Sequence, residues 1–267
     1  MKEFFSRNLD FRVNLGLGVQ PEDHAGEGQP LLNQVKEGIW NAIGTKNVSV
    51  QGYHSPEKLV NAFLKQSVDG IIRGRLSSTK FLQNLRDEFA IDEFQRVALL
   101  ASSQGDDFFF APVGIDECNT KGQKKRFVIS ANDFLGRLGI HPRFFILSAG
   151  RMGDVDRGER ISRSIKDAVA LVKEMENKHQ DITIEHGKIL IENALKSGAN
   201  VILAPDGVSG NLIYRTLIHL GSGRSHGAYY MNQELPGPVM DTSRVGPLEE
   251  YVGGAILALR LIIHGKT

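Results

Sequence analysis

Three segments rich in glycine, hydroxyl and arginine side chains each follow a predicted β-strand. They are residues 73–79, 205–211 and 241–244. The carboxyl ends of parallel strands lie at one edge of a sheet, and open α/β proteins bind ligands at that edge. The planar fork of arginine matches phosphate or carboxylate, so Arg73, Arg75 and Arg244 favour an oxyanion or phosphoryl ligand. Each arginine taken singly is better explained as a solvated or ion-paired surface charge.

Two of these segments also place polar groups at the start of a predicted helix. Val201–Leu220 changes from a buried-strand pattern to a helical pattern, with Asp206, Ser209, Gly210 and Asn211 between the two. Ser77, Ser78 and Thr79 cap another predicted helix in the same way. Unpaired N–H groups and the helix dipole favour an anion there. These seven residues are therefore candidate phosphate-binding residues, although the 201–220 stretch alone fits an ordinary strand-turn-helix connection better.

Composition excludes several function classes. The 267 residues carry 32 basic and 31 acidic side chains, a net charge of +1, which favours neither nucleic acid nor a membrane surface as a partner. The single cysteine, Cys118, excludes an intramolecular disulfide and is interpreted as a small buried residue. Residues 1–8 lack a signal-peptide core, and no apolar run approaches the roughly 20 residues that span a bilayer. We therefore predict a soluble, cytoplasmic protein.

Motifs for tightly bound cofactors and metals are absent from the sequence. There is no P-loop, and Leu15–Gln20 lacks the third glycine of a dinucleotide fingerprint. The eight histidines show no metal-ligand spacing. We expect no metal and no tightly bound cofactor.

The hydrophobic pattern alternates between strand and helix along the chain. Predicted strands cover residues 11–19, 47–50, 68–72, 97–101, 108–113, 142–148, 182–184, 201–204 and 239–240. Predicted helices cover residues 31–43, the stretches after 55, 77 and 211, and residues 130–138, 160–175, 188–196 and 248–264. This alternation predicts an α/β protein with a parallel sheet covered on both faces. The polar, turn-rich stretch 114–125 indicates a domain boundary near it.

Several blocks resemble the phosphotransacetylase and phosphate butyryltransferase superfamily, which includes the phosphate acyltransferase of lipid synthesis. They are Val68–Leu82, His141–Ala149, Ala204–Arg215 and Asp241–Arg244. Within the superfamily, three blocks are most similar to a methanogen marker family labelled "putative methyltransferase subunit X": Ala111–Glu117, Leu147–Asp154 and Leu203–Asn211.

This resemblance implies a fold and an assembly. The fold is two α/β domains with an interdomain cleft, like isocitrate and isopropylmalate dehydrogenases. The implied domains are residues 1–118 with 236–267, and residues 119–235. The superfamily also implies a homodimer, and the methanogen label implies methyltransferase subunits as further partners.

The resemblance also implies catalytic roles. Ser243 would lie beside a thiol or phosphate, while Arg244 and Arg73 or Arg75 would stabilise negative charge on an acyl phosphate. Glu250 falls where the family has an aspartate that acts as base for the coenzyme A thiol. The expected function is therefore group transfer from an acyl phosphate or a related phosphorylated substrate, with coenzyme A as a substrate.

Two departures from the family pattern concern substrate recognition. Arg73 replaces the usual lysine, and the 150–158 loop differs from the acetyltransferase sequence. Two alternatives stay open: a methanogenesis-linked methyltransferase subunit, and a non-catalytic module that binds phosphate or a nucleotide.

Overall fold

The computed structural model describes residues 9–20 and 30–266. Residues 1–8, on which the signal-peptide prediction rests, lie outside the described residues. The chain folds as two compact units, here called unit 1 (the described residues of Met1–Phe94 and Ser225–Thr267) and unit 2 (Gln95–Arg224). These limits differ from those of the predicted domains, and the domain boundaries and the cleft stay predictions.

Unit 1 contains five neighbouring strands of the sheet, covered by helices. Its strands are β1 (Val13–Gly18), β2 (Val48–Tyr53), β3 (Gly70–Ile72), β9 (Arg224–Tyr230) and β10 (Val239–Asp241). Their order in the sheet is β2-β1-β3-β10-β9. Its helices are α1 (Leu31–Ile43), α2 (Pro56–Leu64), α3 (Ser78–Phe89) and α7 (Leu248–Lys266). The predicted bounds of α1 are confirmed, because its buried side chains fall at helical spacing: Leu31, Val35, Ile39 and Ile43.

Unit 2 has a similar layout. Its strands are β4 (Arg96–Ala101), β5 (Asp107–Ala111), β6 (Arg143–Leu147), β7 (Thr183–Lys188) and β8 (Val201–Leu203). Their order in the sheet is β4-β5-β8-β6-β7. Its helices are α4 (Lys121–Arg137), α5 (Glu159–Lys178) and α6 (Gly207–His219), with short 3-10 helices at Met152–Arg157 and Ile191–Asn193. The predicted α/β class is confirmed.

The strand pairing within each unit is mixed rather than wholly parallel. Most pairs are parallel, as predicted, but β4 pairs with β5 and β9 with β10 in antiparallel directions. The link between β4 and β5 is a tight turn in which Ser102 N–H donates to the Asp106 carbonyl. So short a connection can join only antiparallel neighbours, whereas parallel strands need a crossover.

Three elements of the structure differ from the prediction. Strand β9 was missed, because its sequence Arg-Ser-His-Gly-Ala-Tyr-Tyr is short of apolar residues. The predicted helix 188–196 is wrong. Strand β7 continues to Lys188, whose positive φ of 59° ends the strand, and only a 3-10 turn follows. The predicted helix 130–138 begins earlier, at Lys121, because Thr120 and Gln123 form a capping box in the supposedly irregular stretch.

Neither a membrane span nor a metal cluster is found in residues 9–20 and 30–266. No helix there is both long and apolar enough to cross a bilayer. No group of three or more histidine, cysteine, aspartate or glutamate side chains there could hold a metal ion.

Candidate functional site

Two of the three predicted loops lie side by side in unit 1. Strands β3 and β10 are parallel neighbours, with Ile71 opposite Val239 and Ile72 opposite Met240. The loops that follow them, Arg73–Ser77 and Thr242–Pro247, therefore leave the same carboxyl edge of the sheet. We call this pair of loops the unit 1 site.

Arg73 ties the two loops together. It is only 6% exposed, and its Nε donates to Asp241 Oδ1 in a buried ion pair. Its Nη1 donates to the Leu76 carbonyl at 2.7 Å, and its Nη2 donates to the Thr242 carbonyl. All three guanidinium nitrogens thus have protein acceptors, so the geometry gives Arg73 a positioning part in the unit 1 site.

Arg75 is more open than Arg73 and is held by a close backbone contact. Its N–H donates to the Gly18 carbonyl at 3.1 Å. Its side chain hydrogen-bonds the Tyr251 hydroxyl, opposing the burial that raises the pKa of that phenol. The preceding Gly74 has a φ of +59°, and a Cβ there would lie 2.0 Å from the Gly18 carbonyl oxygen. This turn therefore requires glycine.

Replacing Gly74 by alanine is expected to destabilise the protein by about 2 kcal/mol or more, because the left-handed conformation and the backbone clash both cost free energy. Gly136 is the matched control, since a Cβ at this helical position meets nothing within 4 Å. Gly136→Ala should raise the free energy of unfolding by about 0.5–1 kcal/mol. Urea denaturation measures both, and an unchanged midpoint for Gly74→Ala would contradict the assignment.

Ser243 and Arg244 form the open part of the unit 1 site. Ser243 is half-buried, and its Oγ accepts from the Val245 N–H at 3.4 Å. Its carbonyl accepts from the Tyr251 hydroxyl at 3.0 Å, which fixes the turn. Arg244 is exposed, and no carboxylate in the described part of the chain pairs with it. The Arg244 guanidinium is therefore available to an anionic ligand.

Glu250 lies beneath this turn and is only 1% exposed. Its Oε1 accepts from the Ser243 N–H at 2.7 Å and from Ser225 Oγ at 3.4 Å. Its Oε2 is buried with no hydrogen-bond partner among the described residues. Burial raises the pKa of the Glu250 carboxyl to about 7, aided by nearby Asp241, while the Ser243 N–H and Arg73 oppose the rise. This carboxyl can therefore take up and release a proton near neutral pH.

The hydroxyl residues of the first loop lie at the start of α3. Ser77 is the N-cap residue, yet its side chain makes no capping hydrogen bond. Ser78 and Thr79 follow it in the first turn and are exposed. Their position at a helix N-terminus is as predicted, and their binding role stays a proposal.

The third predicted loop belongs to unit 2 and is shaped by packing. Asp206 caps α6, with Oδ1 accepting from the Ser209 N–H at 2.8 Å. Burial disfavours its charge, but the Ser209 hydrogen bonds and Arg160 outweigh this and lower the pKa of Asp206. A Cβ on Gly210 would lie 2.2 Å from the Pro112 carbonyl oxygen, and the Asn211 amide donates to the Val113 carbonyl at 2.7 Å. The glycine and asparagine of this block thus serve the contact with residues 112–113.

The sequence did not point to Ser225, Tyr251 or Lys124. Ser225 and Tyr251 support the unit 1 site through contacts with Glu250 and Ser243, and no sequence motif marks them. Lys124 lies in the first turn of α4 and lines a cavity of unit 2. The Thr120–Gln123 capping box was the signal that could have placed it on a helix.

Comparison with known proteins identifies the family through a sequence relative and the fold through solved structures. No family model matches the chain. "Putative methyltransferase mtx subunit X" of Methanosarcina mazei is 36% identical over 247 residues, covering 88% of this chain and 86% of the relative.

Two solved structures show the fold. A branched-chain phosphotransacylase from Enterococcus faecalis has a TM-score of 0.69 at 16% identity, covering 94% of this chain and 99% of that one. A 4-hydroxythreonine-4-phosphate dehydrogenase from Burkholderia phymatum has a TM-score of 0.55 at 12% identity, covering 96% and 98%. The expected phosphotransacetylase-like and dehydrogenase-like fold is confirmed. The identity to the Methanosarcina protein further shows that the chain belongs to the family of "Putative methyltransferase mtx subunit X".

Proposed function

We propose that the protein transfers an acyl group from an acyl phosphate to a thiol of the coenzyme A type. The observation that carries this proposal is the exposed Arg244, which has no carboxylate partner among the described residues and follows Ser243 on a turn held by buried Glu250. A fixed cation of this kind can stabilise the charge that grows on phosphate oxygens during transfer. The phosphotransacylase-like fold supports the same reaction class, although fold alone does not decide function.

The proposed reaction is balanced without any further reactant. The thiol sulfur bonds to the acyl carbon, the bond between that carbon and the phosphate oxygen breaks, and the phosphate leaves with the electron pair. The thiol proton passes through the base, and the products are a thioester and hydrogen phosphate. Arg244 and Arg75 would stabilise the negative charge on the phosphate. Ser243 would donate a hydrogen bond to the thiol or the phosphate. Arg73 would hold the two loops in register through Asp241 and Thr242.

Glu250 is the proposed base. A pKa of about 7 lets it accept a proton at neutral pH. Its Oε2, which lacks a hydrogen-bond partner in the described residues, lies under Gly246, where a Cβ would sit only 2.3 Å away. Glycine at this position leaves room for the buried carboxyl. In this proposal Ser77, Ser78 and Thr79 contribute to substrate binding, and the binding role predicted for Asp206, Ser209, Gly210 and Asn211 stays a prediction.

The direct test mixes the purified protein with acetyl phosphate or butyryl phosphate and coenzyme A. We expect thioester to accumulate in step with phosphate release, followed by its ultraviolet absorbance and by a phosphate assay. Failure to turn over either acyl phosphate, together with no binding of coenzyme A in calorimetry, would overturn the proposal. Sedimentation of the same sample tests the proposed homodimer.

A second candidate, a methyltransferase subunit, is favoured by the name of the Methanosarcina relative. The test supplies partner subunits and a methylated donor, and follows methyl transfer to a corrinoid or a thiol.

A third candidate is a binding module without turnover. It is suggested by Glu250, which stands where the phosphotransacetylase superfamily has an aspartate. Calorimetric binding of phosphate or a nucleotide, with no product formed, would favour it.

A further inference from the structure

A cavity of about 370 Å³ lies within unit 2, where the N-terminal parts of three helices meet. Its lining includes Asn119, Lys124, Arg160, Ser164, Asp167 and Asp206. Lys124 comes from α4, Arg160, Ser164 and Asp167 from α5, and Asp206 is the N-cap of α6. Apart from Asp206, no residue of the predicted site lines this cavity.

Lys124 is the unusual member of this lining. It is only 3% exposed, yet its ammonium has no hydrogen-bond or ion-pair partner among the described residues. Burial lowers the pKa of Lys124, while Cys118, Asp167 and Asp206 act in the opposite direction. A buried cation without a partner is costly, and natural proteins rarely keep one unless something pairs with it.

Four of the five other charged side chains that line the cavity are already paired with one another. Arg160 lies 3.5 Å from Asp206 Oδ2, and Asp206 also accepts from the Ser209 N–H. Arg163 pairs with Glu159 at 2.6 Å. Asp167 acts on Lys124 through charge alone, without an ion-pair contact. The Lys124 ammonium is therefore the cation that is left over for a ligand.

Ser164 supplies a hydrogen-bond donor beside Lys124, while two of the three carboxylates of the lining, Glu159 and Asp206, are paired with arginines. Ser164 Oγ accepts from the Ala149 N–H at 3.0 Å, so its own proton is left to donate. The Asn119 Oδ1 is already used by the Gly207 N–H at 3.0 Å. An ammonium, a hydroxyl proton and nearby guanidinium groups suit a ligand that only accepts hydrogen bonds.

We propose that this cavity binds an oxyanion of a small molecule, a phosphoryl or carboxylate group, with Lys124 as its main charge partner. The oxyanion would form the ion pair that the Lys124 ammonium lacks within the protein, and Ser164 would donate a hydrogen bond to the same oxyanion. The site is independent of the proposed acyl transfer and lies wholly within unit 2.

Lysine labelled with 13C at Cε gives a local readout, and Lys124→Met identifies the Lys124 signal. Inorganic phosphate and acetate are the probes, because the two sources of an oxyanion must be told apart. Binding of either should shift the Lys124 signal and raise the pKa of Lys124, since an anion favours the charged amine. The probe that acts more strongly names the group. If neither moves the signal or the pKa, the proposal is wrong.

Variants give the second arm of the test. Lys124→Met should weaken phosphate or acetate binding by about 10- to 100-fold, the loss of one charged hydrogen bond. Lys121→Met is the matched control from the same helix turn, because Lys121 is already paired with Glu174 at 3.1 Å, and it should bind within about twofold of wild type. Equal binding by Lys124→Met and wild type would overturn the proposal.

The wild-type chain provides a check that needs no variant. Phosphate should slow the reaction of Lys124 with acetic anhydride relative to that of Lys121, as measured by peptide mass spectrometry. Equal rates of Lys124 acetylation with and without phosphate count against the site.

The Ser243→Ala variant separates the two proposals. It should lose acyl transfer and keep the phosphate effect on Lys124.

Discussion

Replacing Arg244 with glutamine is expected to lower the kcat of thioester formation by about 100- to 1000-fold, the range seen when one group that stabilises transition-state charge is removed. The guanidinium is exposed and without an ion pair in the described residues, so its removal should disturb the fold little. The KM for acyl phosphate should rise less than kcat falls, because the charge on phosphate grows most in the transition state.

Arg137→Gln is the matched control for this change. Arg137 is an exposed arginine at the end of α4 and belongs to none of the three predicted loops. It should keep kcat within about twofold of wild type, since surface changes away from a site are usually mild. If Arg244→Gln were as active as Arg137→Gln, Arg244 would not act on the reacting phosphate.

Sequence reasoning placed the unit 1 loops well because simple rules govern them. A short apolar run such as Ile71–Ile72 can be read as a strand, and the parallel-strand rule then brings Arg73 and Asp241 to one edge. The same reasoning could not tell Arg73 from Arg75. Which arginine is buried depends on Asp241 and Thr242, about 170 residues away along the chain, and no local pattern reports such a pairing.

The errors around unit 2 have a different physical cause. The segment 114–125 is polar, which predicts an irregular stretch, yet its second half is the capped start of α4. Helix starts are often polar because their unpaired N–H groups need side-chain acceptors. Hydrophobic periodicity begins only later in such a helix. Lys124 therefore escaped notice, and its burial follows from packing that only the structure shows.

Glu250 illustrates the limit of a residue assigned by resemblance. Its place in the chain follows from counting along the family's turn, but its proton affinity does not. The pKa depends on burial, on hydrogen bonds from Ser243 and Ser225, and on the charge of Asp241. This property is the one that bears on catalysis, and it is open to measurement without any substrate.

The contribution of Glu250 to the stability of the protein should fall as pH rises from about 4.5 to about 7. The folded state keeps the Glu250 proton up to a pKa of about 7, above the ordinary value of 4.5. Between these values the unfolded chain releases a proton that the folded chain still holds, so rising pH favours unfolding. The full effect is roughly 3 kcal/mol from the size of the shift, and it is complete above pH 7.

Glu250→Gln removes this titration while keeping an oxygen that can accept from the Ser243 N–H. The free energy of unfolding of Glu250→Gln, minus that of wild type, should therefore rise by about 3 kcal/mol between pH 5 and pH 8. Urea denaturation at both pH values measures it, and other titrating groups cancel in the difference. Glu249→Gln, at the exposed neighbouring position, should show a difference that changes little with pH. A Glu250→Gln difference that is the same at both pH values would mean that the carboxyl is already ionised in the folded protein. In that case the carboxylate carries its charge in the buried site at all pH values tested, and the proton uptake assigned to Glu250 as base would lose its basis.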